Sequence, residues 1–186
     1  MNDRIILGVD PGTTIMGYGL IDCKGKEMTL LHYGTLYLGK YKDSMKKLQH
    51  IFGRSLELIE KYKPTELAIE SQFYGKNVQS MLKLGRAQGI SIAAALYRNL
   101  PVFEYAPKTI KLSVTGNGNA SKEQVAAMLC HLLKIKEQTE DLDATDGLAV
   151  AVTHFFHTSK SGLTNSGSYS SWNTFLKDNP DRVKKR

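Results

Sequence analysis

Two short apolar segments that each end in an acidic residue constrain the fold more than any other feature of this chain. Arg4–Asp10 (RIILGVD) is rich in isoleucine, leucine and valine and stops at Asp10, before a Pro-Gly turn. Glu66–Glu70 (ELAIE) is a second such segment and stops at Glu70. Short apolar runs bounded by turn residues are typical of buried strands. If the two strands are parallel neighbours, both acids lie at one edge of a sheet, where open α/β folds build their sites.

The segments around these two strands predict an α/β fold with a mixed sheet. Three predicted strands come first, followed by strands that alternate with helices, and this order is typical of a sheet with mixed strand directions. A capping box of Ser121 and Gln124 predicts the start of one helix. The further strands are predicted over Thr14–Asp22, Met28–Leu38 and Val102–Tyr105, and the helices over Asp43–Tyr62, Asn77–Asn99, the segment after Ser121, and Leu142–His157.

The length of 186 residues is sufficient for one domain with its own core. We predict that this domain spans residues 1–157, and that residues 158–186, which are poor in hydrophobic residues, form a flexible basic tail. No apolar stretch reaches the roughly 18 residues that a membrane span needs. Cys23 and Cys130 are far apart and lack metal-ligand spacing, so we expect core cysteines in a reducing cytoplasm rather than a disulfide.

The positive charge is concentrated in one region. The net charge is +7, and residues 71–122 hold seven basic residues against Glu104 as the single acid. A charged stretch is often only a solvated face. A stretch of this length with one acid better suits a polyanion such as nucleic acid. The seven are Lys76, Lys83, Arg86, Arg98, Lys108, Lys111 and Lys122.

Four acids carry the predicted chemistry. Asp10 and Glu70 end the two buried strands, while Asp143 and Asp146 are three residues apart at the start of the last predicted helix and therefore share a face. Asp10 could instead cap a turn, and either helical acid could favour the helix dipole, but Glu70 has no such structural explanation. Carboxylates gathered at a partly dry site repel one another and need a cation. Oxygen ligands alone select Mg²⁺ or Mn²⁺ over zinc.

Four stretches make the chain resemble the RuvC-type bacterial Holliday-junction resolvases, a branch of the ribonuclease-H-like superfamily. They occur in the family's order and spacing, and the resemblance covers about residues 4–157. It implies a ribonuclease-H-like mixed five-stranded sheet flanked by helices. The stretches are ILGVDPGTTIMGYGLID, ELAIESQFYGKNVQSMLKLGRAQG, LPVFEYAPKTIKLSVTGNGNASKEQV and DATDGLAVAVTH.

The resemblance also implies an activity. A crossover junction endodeoxyribonuclease makes paired symmetric nicks in strands of like polarity during recombination and repair, and leaves 5′-phosphate ends. The resemblance makes Asp10, Glu70, Asp143 and Asp146 the catalytic metal ligands for two Mg²⁺ ions, for which Mn²⁺ can substitute. It implies a homodimer that acts on four-way junction DNA beside branch-migration proteins of the RuvA and RuvB type.

Six residues are predicted to contact DNA. The family's phosphate-contacting lysines fall on Lys111 and Lys122, and a family aromatic that stacks on bases falls on Phe73. Each lysine could instead be a solvated surface residue, and Phe73 could be a core residue. His154 is expected to have a structural or solvent role. The complete set is Phe73, Tyr74, Lys76, Lys83, Lys111 and Lys122.

The predicted helix over Asn77–Asn99 carries two apolar stripes. One consists of Val78, Met81, Leu82, Ile92 and Leu96, and the other of Leu84 and Ala87. The second stripe has no obvious core to fill. Two glycines one turn apart, Gly85 and Gly89, would allow two backbones to approach, so we expect the dimer interface here. The alternative is that both stripes are buried within one protomer.

Two other classes share part of the pattern. Sugar-kinase and actin-like ATPases also begin with a strand, an aspartate and Gly-Thr-Thr, but they need a second lobe and a second phosphate loop, which this chain lacks. A non-catalytic DNA-binding relative would be expected to lose a carboxylate, and all four are present.

Overall fold

The computed structural model describes residues 3–72, 77–135 and 141–161, with side chains as far as residue 159. The chain separates into two compact units, Met1–Phe156 and His157–Arg186. No helix within the described residues is long and apolar enough to cross a membrane. The elements are β1 (Arg4–Asp10), β2 (Ile15–Lys24), β3 (Glu27–Tyr37), α1 (Ser44–Tyr62), β4 (Glu66–Glu70), α2 (Val78–Tyr97), β5 (Val102–Tyr105), α3 (Pro107–Thr115), α4 (Lys122–Leu133) and α5 (Leu142–Ser161).

The strands form one mixed sheet in the order β3-β2-β1-β4-β5. The first three strands pair antiparallel, β1 with β2 and β2 with β3. β1 and β4 are parallel neighbours, and so are β4 and β5. The predicted fold class, a ribonuclease-H-like mixed five-stranded sheet flanked by helices, is confirmed.

Alternation along β1 separates the core into two layers, because successive side chains of a strand point to opposite faces. Leu7 and Val9 are buried with residues of α1 and α2 on one face. Ile6 is buried on the other face with residues of α3, α4 and α5. Asp10 is in phase with Ile6, so its side chain belongs to the face that α5 covers.

Glycines allow α5 to lie directly on the strands. A Cβ atom at Gly147 would lie 2.4 Å from the Cα of Tyr18, and one at Gly17 would lie 2.2 Å from the carbonyl oxygen of Asp143. Both distances are far shorter than a carbon–carbon or carbon–oxygen contact allows, so no side chain fits at either position. The close approach holds the first turn of α5, with Asp143, against the end of β2 that pairs with Asp10.

The structure contains one helix that the sequence analysis did not predict. α3 is only 9 residues long, with Pro107 in its first turn and Ile110 and Val114 buried one turn apart. A segment this short shows little periodicity, and its helical state depends on burying those two residues. α5 also continues past the predicted end at His157, to Ser161. The remaining boundaries differ by two residues or fewer.

The buried and exposed apolar residues of α2 do not follow the two stripes expected from the sequence. Ala87, from the predicted interface stripe, is buried in the core. Val78, Leu82 and Leu96, from the predicted core stripe, are 65%, 55% and 58% exposed. Ala87 and the partly buried Ile90 and Ile92 pack α2 against the core, whereas Val78, Leu82 and Leu96 are left on the outside.

Candidate active site and nucleic-acid interface

Asp10 and Glu70 lie side by side at one edge of the sheet. Val9 pairs with Ile69 in the parallel register of β1 and β4, so the two acids are the next residues on adjacent strands. Both side chains are partly buried. Strand pairing therefore places the two carboxylates together. Both acids are the last residues of strands and do not lie in loops.

Asp143 and Asp146 come from the first turns of α5, and a third aspartate caps that helix. The Asp141 carboxylate accepts a hydrogen bond from the backbone N–H of Asp143 at 3.2 Å and one from the Thr35 hydroxyl at 2.8 Å. From the sequence, only Asp143 and Asp146 were given a possible role at this helix N-terminus, through the helix dipole. The position of Asp141 just before the helix was a usable signal for a cap that was missed. Because Asp141 satisfies the helix N-terminus, the carboxylates of Asp143 and Asp146 can serve another purpose.

Lys122 links these two carboxylates. Its Nζ lies 2.7 Å from Oδ1 of Asp143 and 2.6 Å from Oδ2 of Asp146. The predicted capping box is present and fixes the start of α4, with Ser121 N donating to Gln124 Oε1 at 2.9 Å and Gln124 N donating to Ser121 Oγ at 3.3 Å. Burial acts to lower the pKa of Lys122, but its hydrogen bonds to the two aspartates outweigh burial and raise it. Lys122 is therefore a permanent cation between two of the acids.

The predicted residues surround two adjoining cavities. A cleft of about 270 Å³ is lined by Asp10, Glu70 and Asp146 together with Lys111 and Lys122. Its apolar walls are Pro107, Ile110, Val125 and Ala149. A second cavity of about 290 Å³ is lined by Asp10 and Asp143 together with Gly12, Thr13, Thr14, Ile15 and Leu84. Asp10 lines both cavities, so the four acids form one continuous group.

The site has more negative charge than its own lysines compensate. Burial raises the pKa of Asp10 to about 6, and the charge of Asp146 adds to this effect, while Lys122 opposes it. Burial raises the pKa of Glu70 to about 8, with further contributions from Asp10 and Asp146. Burial also raises the pKa of Asp146, despite its hydrogen bond from Lys122. A divalent cation would relieve this repulsion.

The oxygen donors of this site are of the type that binds a divalent cation. All four candidate ligands are carboxylates, the donors that hard ions such as Mg²⁺ prefer. Within residues 3–72, 77–135 and 141–161, no three acidic, histidine or cysteine side chains are grouped closely enough to hold one ion as they stand. The Lys122 ammonium lies between Asp143 and Asp146. Lys122 occupies one oxygen of each of these two carboxylates, so an ion that binds those oxygens would displace it.

The other residues that were predicted to contact DNA lie in different parts of the chain. Lys111, on α3, lines the acidic cleft. Lys83, on α2, lines a different cavity on the far side of Thr13 and Thr14. Phe73, Tyr74 and Lys76 fall outside the residues that the structure describes.

His154 does not belong to the acidic cleft. It is fully buried, with Nε2 at 2.8 Å from Oε2 of Glu66 and Nδ1 at 2.6 Å from the Tyr105 hydroxyl. Glu66 begins β4, the strand whose other end carries Glu70. These contacts support the structural role expected for His154.

The sequence profile of the family described as Crossover junction endodeoxyribonuclease RuvC matches residues 6–154. The chain belongs to this family. The relative from Cytophaga hutchinsonii is 59% identical over 182 residues, covering 98% of this chain and 89% of its own. The relative from Christiangramia forsetii is 56% identical over 184 residues, covering 98% and 94%. Both carry the name Crossover junction endodeoxyribonuclease RuvC.

The RuvC fold is shared as well. The solved structure of Thermus thermophilus RuvC in complex with a Holliday junction substrate is 31% identical, has a TM-score of 0.79, and covers 85% of this chain and 96% of its own. The resemblance read from the sequence motifs is thus confirmed. The family profile ends before the predicted tail, whereas the two relatives cover 98% of the chain, so their similarity extends into residues 158–186.

Proposed function

We propose that this member of the RuvC family resolves four-way DNA junctions by paired nicks in strands of like polarity, with Asp10, Glu70, Asp143 and Asp146 as the metal-binding catalytic residues. One observation carries the proposal. Two strand ends and one helix bring four carboxylates around two adjoining cavities, and three of them have raised pKa values although Lys122 is present. An acidic site next to lysines suits the hydrolysis of a phosphodiester with divalent metals.

Two Mg²⁺ ions, or Mn²⁺ in their place, would supply the activated water and would stabilise the leaving 3′ oxygen. The protein's own residues prepare the site. Lys122 compensates part of the negative charge of Asp143 and Asp146 in the metal-free protein, and it becomes available for a phosphate oxygen once they take another cation. Lys111 faces the same cleft and provides a second positive charge for the phosphate. The apolar wall of Ile110 and Val125 limits water on one side. Because the 3′ oxygen is the leaving group, hydrolysis would leave 5′-phosphate ends.

The test uses a synthetic four-way junction with and without Mg²⁺. The wild type is expected to nick two strands of like polarity symmetrically and to leave nicks that a DNA ligase seals. The variants Asp10→Asn, Glu70→Gln, Asp143→Asn and Asp146→Asn are each expected to abolish cleavage while nearly retaining junction binding, because affinity comes mainly from phosphate contacts.

The matched control is Asp22→Asn. Asp22 pairs with Lys24 at the end of β2 remote from the acids, so this variant is expected to cleave normally. Cleavage above about a tenth of the normal rate by any of the four site variants removes that residue from the essential set. A wild type that leaves the junction intact in Mg²⁺ and in Mn²⁺ contradicts the proposed activity.

We also propose a homodimer that uses the exposed face of α2. Val78, Leu82, Gly85, Gly89 and Leu96 lie within roughly a sixth of the helix circumference, at 3.6 residues per turn. A Cβ atom at either glycine would meet no atom within 4 Å, so this face is open in one protomer. A two-fold dimer would bury the aliphatic residues and provide the two acidic sites that paired nicks need. Junction-bound proteins of the RuvA and RuvB type are the proposed further partners, in the cytoplasm.

A further inference from the structure

A basic cavity lies next to the acidic site. It has a volume of about 300 Å³ and is formed where the loop after β1, the start of α1 and the side of α2 meet. The side chains that matter here are Lys42, Lys47, Lys83, Arg86, Thr13 and Thr14.

The positive charge in this cavity is not compensated. No acidic side chain lines it among the described residues, and within the same residues no ion pair involves Lys42, Lys83 or Arg86. The neighbouring Asp43 accepts a hydrogen bond from Met45 N at 2.8 Å and caps α1. Four cations around one concave surface without a counterion attract an anion.

Lys47 has a second role in the same cavity. Its Nζ donates a hydrogen bond to the carbonyl oxygen of Thr13 at 2.8 Å, which ties α1 to the loop that follows Asp10. An ammonium group has three N–H donors, so this bond leaves two of them for a ligand. The cavity therefore combines a fixed loop with free donors.

The basic cavity is continuous with the acids. Thr13 and Thr14 line it, and the same two residues line the neighbouring cavity together with Asp10 and Asp143. The acids, the two threonines and the basic residues form one track along the protein. A phosphodiester strand with one phosphate at the acids would continue past the threonine hydroxyls and bring its next phosphates to the lysines and the arginine.

We propose that this cavity is a second phosphate-binding subsite, which holds backbone phosphates of the strand being cut, next to the phosphate at the acids. The ligand is the DNA backbone rather than a free phosphate ion. Lys83 and Arg86 lie on the flank of α2 between the buried Ala87 and the open face of Gly85 and Gly89, so the subsite and the proposed dimer contact do not compete. The assignment rests on the proposed function, because it takes junction DNA as the substrate.

The experiment compares two triple variants that remove the same charge. Lys42→Ala, Lys83→Ala and Arg86→Ala together remove the subsite and leave the Lys47 contact intact. The matched control combines Lys26→Ala, Lys46→Ala and Lys61→Ala, three exposed residues that do not line this cavity. Equal melting temperatures and circular dichroism spectra establish that both variants fold.

Junction binding is measured in EDTA, so that no strand is cut, at 50 to 200 mM salt. Each lost phosphate contact lowers the salt slope by about 0.9, so three lost contacts lower it by about 2.7. Over this fourfold range of salt the wild type is therefore expected to lose about 40-fold more affinity than the subsite variant. The control variant is expected to follow the wild type. Equal salt slopes for the two triple variants overturn the proposal.

A second measurement locates the bound phosphates. Junctions carry one neutral methylphosphonate at each position near the nick. The wild type is expected to lose about tenfold in affinity at one or two positions beside the nick, while the subsite variant is insensitive there. Sensitivity of both proteins at the same positions overturns the proposal. Saturable binding of millimolar inorganic phosphate by the wild type alone, together with no methylphosphonate position that distinguishes the two proteins, also overturns it, since the cavity would then be a site for a free anion.

These outcomes are separable from failure of the proposed function. A wild type that shows the expected salt slope and methylphosphonate pattern but leaves the junction uncut in Mg²⁺ supports the subsite and refutes the nuclease. A wild type that cuts, with equal slopes for the two triple variants, supports the nuclease and refutes the subsite.

Discussion

Glu70→Gln tests whether the ionised carboxylate of Glu70 lowers the free energy of unfolding of this protein. The pKa of Glu70 rises from 4.5 to about 8, first because of burial and then because of Asp10 and Asp146. Between these two pH values the folded protein binds more protons than the unfolded chain, so stability falls as the pH rises through this window. Below pH 4.5 this loss is absent. Glutamine keeps the shape of the protonated carboxyl group and cannot ionise, so the variant does not suffer the loss.

The magnitude follows from the same values. The interval from 4.5 to about 8, at about 1.4 kcal/mol for each pH unit, gives an upper limit of about 5 kcal/mol above pH 8. Glu70 is only partly buried, and solvent screening weakens the effect, so we expect about half, or 2–3 kcal/mol. At pH 5 the expected difference is below about 1 kcal/mol.

The assay is urea denaturation of the wild type and the variant in EDTA at pH 5, 7 and 9. Glu70→Gln is expected to be the more stable protein at pH 9 and nearly equal at pH 5. Mg²⁺ at pH 9 should reverse the order, because ligand binding stabilises only a folded state that binds it. The matched control is Glu57→Gln, since the hydrogen bond from Arg54 lowers the pKa of Glu57. The pKa shift of Glu57 is opposite in direction to that of Glu70, so Glu57→Gln gains no stability over the wild type at high pH.

Two results would refute this reasoning. One is equal stability of the wild type and Glu70→Gln at pH 9 in EDTA, which would mean that the ionised carboxylate is well solvated in the fold. The other is a wild type whose stability does not fall between pH 5 and pH 9 relative to the variant. In either case Glu70 would not lie in the desolvated, acid-rich site described above.

Three further predictions concern the lysines, the tail and the dimer. Lys111→Ala and Lys122→Ala should each lower junction binding or turnover by tenfold or more, as expected for a charged hydrogen bond worth about 1.5–3 kcal/mol, and unchanged kinetics in either variant would exclude that lysine from phosphate contact. A chain that stops at Thr158 should still cut junctions in vitro, and a folded but inactive product would make the tail part of the site or the dimer. Gly85→Arg should shift sedimentation from dimer to monomer. The control Gly53→Arg, also at an open helical position, should leave the sedimentation unchanged. A wild type that is monomeric at tens of micromolar yet cuts both strands in concert would contradict the dimer.

The sequence alone determined the features that depend on local periodicity. β1 and β4 are apolar runs that end in Asp10 and Glu70, and the structure has both with the predicted bounds. The capping box at Ser121 and the spacing of Asp143 and Asp146 were also visible, because caps and helical faces involve residues three or four apart. The motifs placed the chain in its family because each of them is a contiguous stretch of sequence.

Only the tertiary structure decided which distant residues meet. The ion pairs of Lys122 with Asp143 and Asp146 span 21 and 24 residues, and they exist because α4 and α5 pack on the same face of the sheet. α3 depends on burying Ile110 and Val114, and the exposed stripe of α2 depends on which of its faces the sheet accepts. Lys47 reaches Thr13 across 34 residues, and so completes the basic cavity beside the acids. Strand alternation and helical period repeat along the chain and can be read from it, whereas contacts between separate elements depend on how their surfaces fit together.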